Sequence, residues 1–126
     1  AEGLSRTQPK QSSSKGAPAQ ATAAEIRRSV RASINAAVIP KWNACKISGL
    51  DIEKLKTTIS FRLARGGRLA GIVSVETTGE TDNNKFYVKR YEECAKRSIE
   101  LAAPFDDLPE DNYSFWETST LDFTKR

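Results

Sequence analysis

The most informative segment of the chain is residues 55–75, which read LKTTISFRLARGGRLAGIVSV. Over 55–63, apolar side chains or threonine occupy every second position, which is the pattern of a strand with one buried face. Gly66 and Gly67 then supply the positive φ angles that a tight hairpin turn requires. A second strand is expected over 69–77, where the alternation resumes on Leu69, Gly71, Val73 and Val75. The segment therefore predicts a β-hairpin.

An amphipathic helix is predicted on each side of this hairpin. Thr22 and Glu25 have the spacing of a capping box. After them, apolar residues recur every four positions, at Ile26, Val30, Ile34 and Val38. Pro40 is then expected to end the helix. Trp42 is then expected to fold back and close one end of the core. A second helix is predicted over 88–102, with its apolar stripe on Val88, Tyr91, Ala95, Ile99 and Ala102.

The last part of the chain predicts a third strand. Residues 113–123 are rich in aromatic and β-branched side chains, which favour strands. The order helix, strand, strand, helix, strand predicts an α+β fold: a three-stranded antiparallel sheet with both helices on one face and the first strand in the centre. We assign residues 25–126 to this domain. Residues 1–24 are rich in Ala, Ser, Gln and Pro, and are expected to form a disordered linker.

The two outer strands of such a sheet have unpaired edges. The third strand is the longer one and contains neither lysine nor proline, the residues that usually discourage pairing. We predict that an extended peptide pairs with it, with an exposed Trp116 as an anchor. The residues expected to contact the peptide are Ser114, Trp116, Thr118, Thr120 and Asp122. A buried Trp116, with the peptide bound elsewhere, is the alternative.

The composition argues against several kinds of enzyme. The chain of 126 residues has no histidine, which excludes a Ser-His-Asp triad, a Cys-His pair and His-ligated zinc within it. We expect no cofactor and no enzymatic activity. A less favoured alternative is an enzyme that uses carboxylates of the loop over 105–112, namely Asp106, Asp107 or Glu110. With Asp111 these could also bind calcium, but the EF-hand spacing is absent.

Other ligands are also weakly indicated. The glycines of the hairpin fit neither GxGxxG nor GxxxxGK[ST], so a phosphate loop is not expected. The net charge of +4 is small for a nucleic-acid binder. A basic nucleic-acid-binding module is nevertheless an alternative, and its phosphate contacts would come from Arg27, Arg28, Arg31, Arg62, Arg65 and Arg68. Because the chain has no methionine, we expect a processed product or a fragment of a longer protein.

The chain has two cysteines, Cys45 and Cys94. The predicted layout brings the elements that carry them onto the same face of the sheet. An even count suits a disulfide in an oxidising compartment. Two buried free thiols are the alternative.

Over residues 25–126 the pattern resembles the C-terminal domain of the TolA family. The resemblance rests on the order of several motifs: the capped helix ending in Trp42, the hairpin from Ile59 to Val75, Thr78-Gly79 before the second helix, the exit from Ala103-Pro104 to Leu108-Pro109, and the closing Leu121-Asp122-Phe123. Some members join cysteines at the places where Cys45 and Cys94 lie here. Members also carry a long Ala- and Lys-rich stalk ahead of this domain.

The resemblance implies a non-enzymatic periplasmic domain of the Tol-Pal system, which maintains envelope integrity and constriction during division. The implied partner is TolB, with Pal, group A colicins and a filamentous-phage minor coat protein as further partners. Inner-membrane Tol proteins would be reached through an upstream anchor, and no nucleic acid is expected. The related TonB C-terminal domain is the near alternative. It is disfavoured by the long helix over 25–39 and by the lack of a Tyr-Pro motif ahead of the hairpin.

Overall fold

A computed structural model of the chain describes residues 22–125. Its helices and strands are α1 (Ala23–Ala44), β1 (Lys56–Leu63), β2 (Leu69–Thr78), α2 (Val88–Ala102) and β3 (Thr118–Thr124), with short 3-10 helices at Ile52–Lys54, Lys85–Tyr87 and Glu110–Phe115. The linker predicted over 1–24 lies outside the described residues, apart from its last three. Of these, Ala23 and Ala24 already belong to the first turn of α1.

The strands form one antiparallel sheet in the order β2-β1-β3. The predicted α+β class and the central position of the first strand are therefore confirmed. On β1 the inward side chains alternate with outward ones along the whole strand, and the inward set is Thr57, Ile59, Phe61 and Leu63, all buried. At the hairpin turn, Gly66 and Gly67 have φ angles of 92° and 84°. A Cβ atom on Gly67 would overlap the main chain of Phe105, so this position requires glycine.

Helix α1 is longer than the sequence predicted. Its capping box is as expected: Glu25 N donates to Thr22 Oγ1 at 3.1 Å, and Thr22 N donates to Glu25 Oε1 at 2.7 Å. The prediction that Pro40 ends the helix is wrong, because the helix continues through it for another turn. Trp42 does not fold back. It lies four residues beyond Val38 and occupies the next position of the buried stripe, which offsets the hydrogen bond that Pro40 cannot donate.

Both helices cover the same face of the sheet and share one apolar core with it. The ring of Trp42 makes edge contacts with Tyr91 of α2 and Phe123 of β3, at centroid distances of 5.1 and 5.2 Å. Tyr91 Oη also donates to the carbonyl of Leu55 at 3.0 Å. These contacts hold α1, α2 and the sheet together at one end of the core. Within residues 22–125 no helix has the length and apolar content needed to cross a membrane.

Cys45 and Cys94 form a disulfide, as predicted, so the alternative of two free thiols is excluded. The bond joins the end of α1 to the middle of α2, with 6.2 Å between the two Cα atoms. It closes a loop with a sequence separation of 49 residues. In the chain-entropy account such a loop contributes about 4 kcal/mol to stability, a large share for a small domain.

Strand β2 is irregular. Its pairing with β1 skips Val73 and, nearer the turn, Ala70, so the strand contains two bulges. Each bulge moves the alternation of side chains by one position. Ile72 therefore packs against the core, and Val73, which the simple alternation placed inward, is 57% exposed. The prediction that Val73 shares the buried face of the strand with Leu69 and Val75 is wrong.

The third strand is shorter than the predicted 113–123, because residues up to Phe115 form a 3-10 helix. Trp116 follows this helix and is 1% exposed, so the expectation of an exposed Trp116 on the edge strand is wrong. Its Nε1 donates to the carbonyl of Pro109 at 2.8 Å, which satisfies the indole and allows the ring to be buried. The helix is fixed in turn by Tyr113 Oη, which donates to the carbonyl of Leu63 at 2.6 Å.

Candidate functional site

Strand β3 pairs with β1 on one side, and within residues 22–125 no strand pairs with its other side. Leu63 N donates to the carbonyl of Glu117 at 2.8 Å, just ahead of the strand. Hydrogen-bonded and non-hydrogen-bonded pairs alternate in an antiparallel ladder, so odd-numbered residues of β3 bond to β1. The even-numbered residues direct their N–H and C=O groups to the open edge. They are Thr118, Thr120, Asp122 and Thr124.

One end of this open edge is closed by α1. Trp42 Nε1 donates to the carbonyl of Thr124 at 2.8 Å. Beside it, Lys125 Nζ lies 4.1 Å from the centroid of the Trp42 ring and donates to the carbonyl of Trp42 at 2.6 Å. Burial lowers the pKa of the Lys125 amine, and the charge of Lys46 adds to this effect. Ahead of this closed end, the main-chain groups that face the open edge are those of Thr118, Thr120 and Asp122.

The side chains of these residues lie on the outer, uncovered face of the sheet. Thr58 Oγ1 donates to Asp122 Oδ1 at 2.7 Å, and the hydroxyl oxygens of Ser60 and Thr120 are 2.9 Å apart. Cross-strand pairs of this kind fix the register of neighbouring strands. The side chains therefore hold β3 against β1, while the main chain of the same residues faces the open edge.

The five residues predicted to bind a partner do not lie together. Thr118, Thr120 and Asp122 share the exposed strand, as expected. Ser114 is exposed but lies in the preceding 3-10 helix, and Trp116 is in the core. The predicted side-chain anchor at Trp116 is thus absent from the edge.

A groove of about 280 Å³ follows the open edge. One wall is β3 with Phe115, and the other is the first half of α1. The α1 residues that line it are Arg27, Val30, Arg31 and Ile34. The helix and the strand run side by side in the same direction: the Arg27 guanidinium carbon lies 4.9 Å from the centroid of the Phe115 ring, and Trp42 bonds to Thr124 at the far end. The groove therefore places a helix surface next to unpaired main chain.

Sequence reasoning missed the part played by Arg27 and Arg31. The sequence predicts a solvated helix face for these two arginines, with phosphate contacts of a nucleic-acid-binding module as the alternative. The signal that could have identified them is their spacing of four residues, with Arg27 and Arg31 each following a residue of the apolar stripe, Ile26 and Val30. Residues so placed lie at the border between a helix and the sheet that it covers.

The structure gives less support to a metal site or a nucleic-acid site than to a site at the β3 edge. Within residues 22–125 there is no group of three or more His, Cys, Asp or Glu side chains that could hold a metal ion. Of the arginines considered for nucleic-acid binding, Arg62 on β1 lies 4.0 Å from the Glu117 carboxylate, and Arg65 stacks over Tyr113 at 4.5 Å. A larger depression of about 660 Å³ begins beyond the closed end of the edge, at Thr124 and Lys125, and is lined mainly by residues between the end of α1 and the first 3-10 helix.

These features define a small α+β domain in which, over residues 22–125, the regular edge of β3 borders a groove and has no partner strand. Comparisons with known protein families, with curated proteins and with solved structures found no match for the chain. What the domain binds is therefore inferred from its own geometry and from the resemblance of its sequence pattern.

Proposed function

We propose that this domain is a protein-binding module that holds an extended peptide by strand addition at the open edge of β3. The observation that carries this proposal is the row of main-chain donors and acceptors at Thr118, Thr120 and Asp122, for which the described residues provide no partner strand. Strand addition satisfies such groups with main-chain hydrogen bonds and takes its specificity from neighbouring pockets. The groove beside β3 is in the position to supply that specificity.

The physiological setting that we propose is the Tol-Pal system, in which the domain is a non-enzymatic periplasmic part of a protein anchored in the inner membrane. It would bind TolB and so help to couple the two membranes and to maintain envelope integrity during division. Pal, group A colicins and a filamentous-phage minor coat protein are further proposed partners. The resemblance to the TolA C-terminal domain supports this setting, as does the Cys45–Cys94 disulfide, which suits an oxidising compartment.

The test uses the full chain and TolB from the same organism, with affinity measured by titration calorimetry. Thr118→Pro and Thr120→Pro, made singly, remove one main-chain donor each from the open edge and leave the ladder to β1 intact. We expect each variant to bind TolB at least about tenfold more weakly, which corresponds to about 1.4 kcal/mol. Thr120→Ala is the matched control, because it keeps the N–H group, and its affinity should stay within about twofold of the parent.

Unchanged affinity of both proline variants, in proteins that still melt cooperatively, would rule out this edge as the binding site. Failure of the parent chain to bind TolB would instead contradict the Tol-Pal setting and favour the TonB-like alternative, an energy-transducing domain that would use the same edge with another partner.

A further inference from the structure

We infer that the peptide held at β3 carries two acidic side chains at positions i and i+2, which face α1 and pair with Arg27 and Arg31. This inference rests on the proposed function, since it requires a peptide strand beside β3. It adds the chemistry of the partner, namely an extended segment with an acidic residue, any residue and a second acidic residue.

The groove carries positive charge that the described residues leave unpaired. Arg27 and Arg31 are both exposed, and neither forms an ion pair within residues 22–125. None of the residues that line the groove is acidic. The one carboxylate on β3, that of Asp122, accepts a hydrogen bond on the outer face of the sheet. A strand added at this edge would therefore meet two free guanidinium groups and no competing carboxylate from the groove.

One of the two arginines is held in position. The guanidinium of Arg27 stacks on the Phe115 ring at 4.9 Å, which limits its motion and leaves its N–H groups available at the rim. Between the arginines and β3, the buried Val30 and Ile34 form an apolar floor. A carboxylate that reaches an arginine across this floor would be partly withdrawn from water, and its ion pair would be screened less by salt than one on an open surface.

The spacing of the arginines matches that of a strand. Successive turns of a helix at i and i+4 are about 6 Å apart along its axis, and same-face residues of a strand at i and i+2 are about 6.6 Å apart. Because α1 runs alongside β3, Arg27 and Arg31 would each stand opposite one of two consecutive inward side chains of an added strand. Side chains on the other face of that strand would point away from α1.

The test uses the full chain and two synthetic peptides with blocked ends, VTETETVT and VTETTEVT. Both have the same composition and charge, but only the first places its two glutamates on one face of a strand. In buffer with 20 mM salt we expect the first peptide to bind about tenfold more tightly than the second. Arg27→Gln and Arg31→Gln should each weaken binding of the first peptide about three- to tenfold. Arg28→Gln is the matched control. It removes an exposed arginine of α1 that does not line the groove, and it should change affinity less than twofold.

Equal affinity of the two peptides, or equal effects of the three arginine variants, would overturn the inference. So would the absence of binding by VTETETVT up to 1 mM. If TolB still binds and remains sensitive to Thr120→Pro in those cases, the proposed function stands without the acidic motif. Undiminished binding of VTETETVT by Thr120→Pro would show that the arginines attract the peptide without strand addition, and this too overturns the inference.

Discussion

The two outer strands of this sheet meet solvent in different ways. β2 has ten residues and two bulges, whereas the seven residues of β3 keep a continuous register with β1. A bulge bends a strand and interrupts the regular row of main-chain groups along its edge, which discourages pairing with a strand of another molecule. Each strand contains a single charged residue, Glu76 in β2 and Asp122 in β3. Backbone geometry, rather than charge, is what separates the protected edge from the open one.

The far ends of both strands are fixed. After β2, the Asp51 carboxylate accepts hydrogen bonds from Thr81 Oγ1 and Asn83 Nδ2, both at 3.0 Å. The buried Asn84 side chain donates to the carbonyls of Asp51 and Gly79 at 2.8 and 3.1 Å. After β3, the indole of Trp42 has the same role. The two edges therefore differ in the middle of each strand and not in how firmly the strand ends are held.

The largest effect is expected from proline at Ser119 of β3, and the matched comparison is proline at the next position, Thr120. Ser119→Pro removes an N–H group that pairs with β1 and should destabilise the domain by roughly 3 kcal/mol. Thr120→Pro removes an N–H group that faces the open edge and should cost less than about 1 kcal/mol. Urea unfolding of both variants measures the difference. Equal losses would contradict the assignment of which main-chain groups face the edge.

A smaller effect is expected where α1 closes the open edge. Trp42→Phe keeps an aromatic ring in the core but removes the donor to the Thr124 carbonyl, at a cost of about 1–2 kcal/mol. Amide hydrogen exchange should become faster over 121–125 and stay unchanged in β2. A uniform increase across the sheet would mean that the indole supports the whole core rather than this edge.

The difference between the two edges can also be tested by removing one bulge from β2. Deleting Val73 leaves Ile72 inward and Ser74 outward, opposite the matching residues of β1, so the fold should survive with a change of no more than about 1 kcal/mol. The part of β2 beyond the remaining bulge at Ala70 would then be regular, and its edge should pair with a second copy of the chain. Sedimentation velocity at increasing concentration detects this, with Val73→Ala as the control that keeps the bulge. A variant that sediments like the parent would show that the bulge does not protect the edge.

The smallest effect is expected at Asp51, next to the protected strand. Hydrogen bonds from Asn83 and Thr81 lower the pKa of its carboxyl from the ordinary value of 3.8. The native state therefore holds this proton less readily than the unfolded chain, so the contribution to stability is complete above pH 3.8 and is lost as the pH falls through the lowered pKa. Asp51→Asn, which tolerates the left-handed φ of 61°, should remove this part of the pH dependence.

Urea midpoints at pH 5 and pH 2.5 would measure the change for the parent and for Asp51→Asn. The midpoint of the parent should fall slightly more than that of the variant. An identical fall in both proteins would mean that the stabilisation by the hydrogen bonds around Asp51 does not depend on its charge.

The sequence predicted what depends on local periodicity. The hairpin and α2 follow from side-chain spacing and from the Gly66-Gly67 turn, and the central place of β1 follows from the order of these elements along the chain. The errors arose where distant contacts decide the outcome. Helix α1 continues past Pro40 because the ring of Trp42 packs against Tyr91 and Phe123. Trp116 is buried because a 3-10 helix places the carbonyl of Pro109 beside its indole.

The candidate site was predictable only in part, for the same reason. The exposed strand with Thr118 and Thr120 could be identified from its composition. The register with β1 determines that the main chain of these residues, rather than their side chains, faces the open edge. The bulge at Val73 and the position of Arg27 above Phe115 likewise depend on pairing and packing that no local pattern encodes.

The Cys45–Cys94 bond also determines how the domain responds to tension. A force that enters at the start of α1 and leaves through β3 passes from Cys45 directly to Cys94. Strands β1 and β2 lie inside this covalent loop, so they would not be extended even if the domain opened. The loop spans a sequence separation of 49, so roughly 170 Å of extended chain would not contribute to any stretching of the molecule. Under load, the domain would thus extend little before β3, the strand that we propose binds the partner.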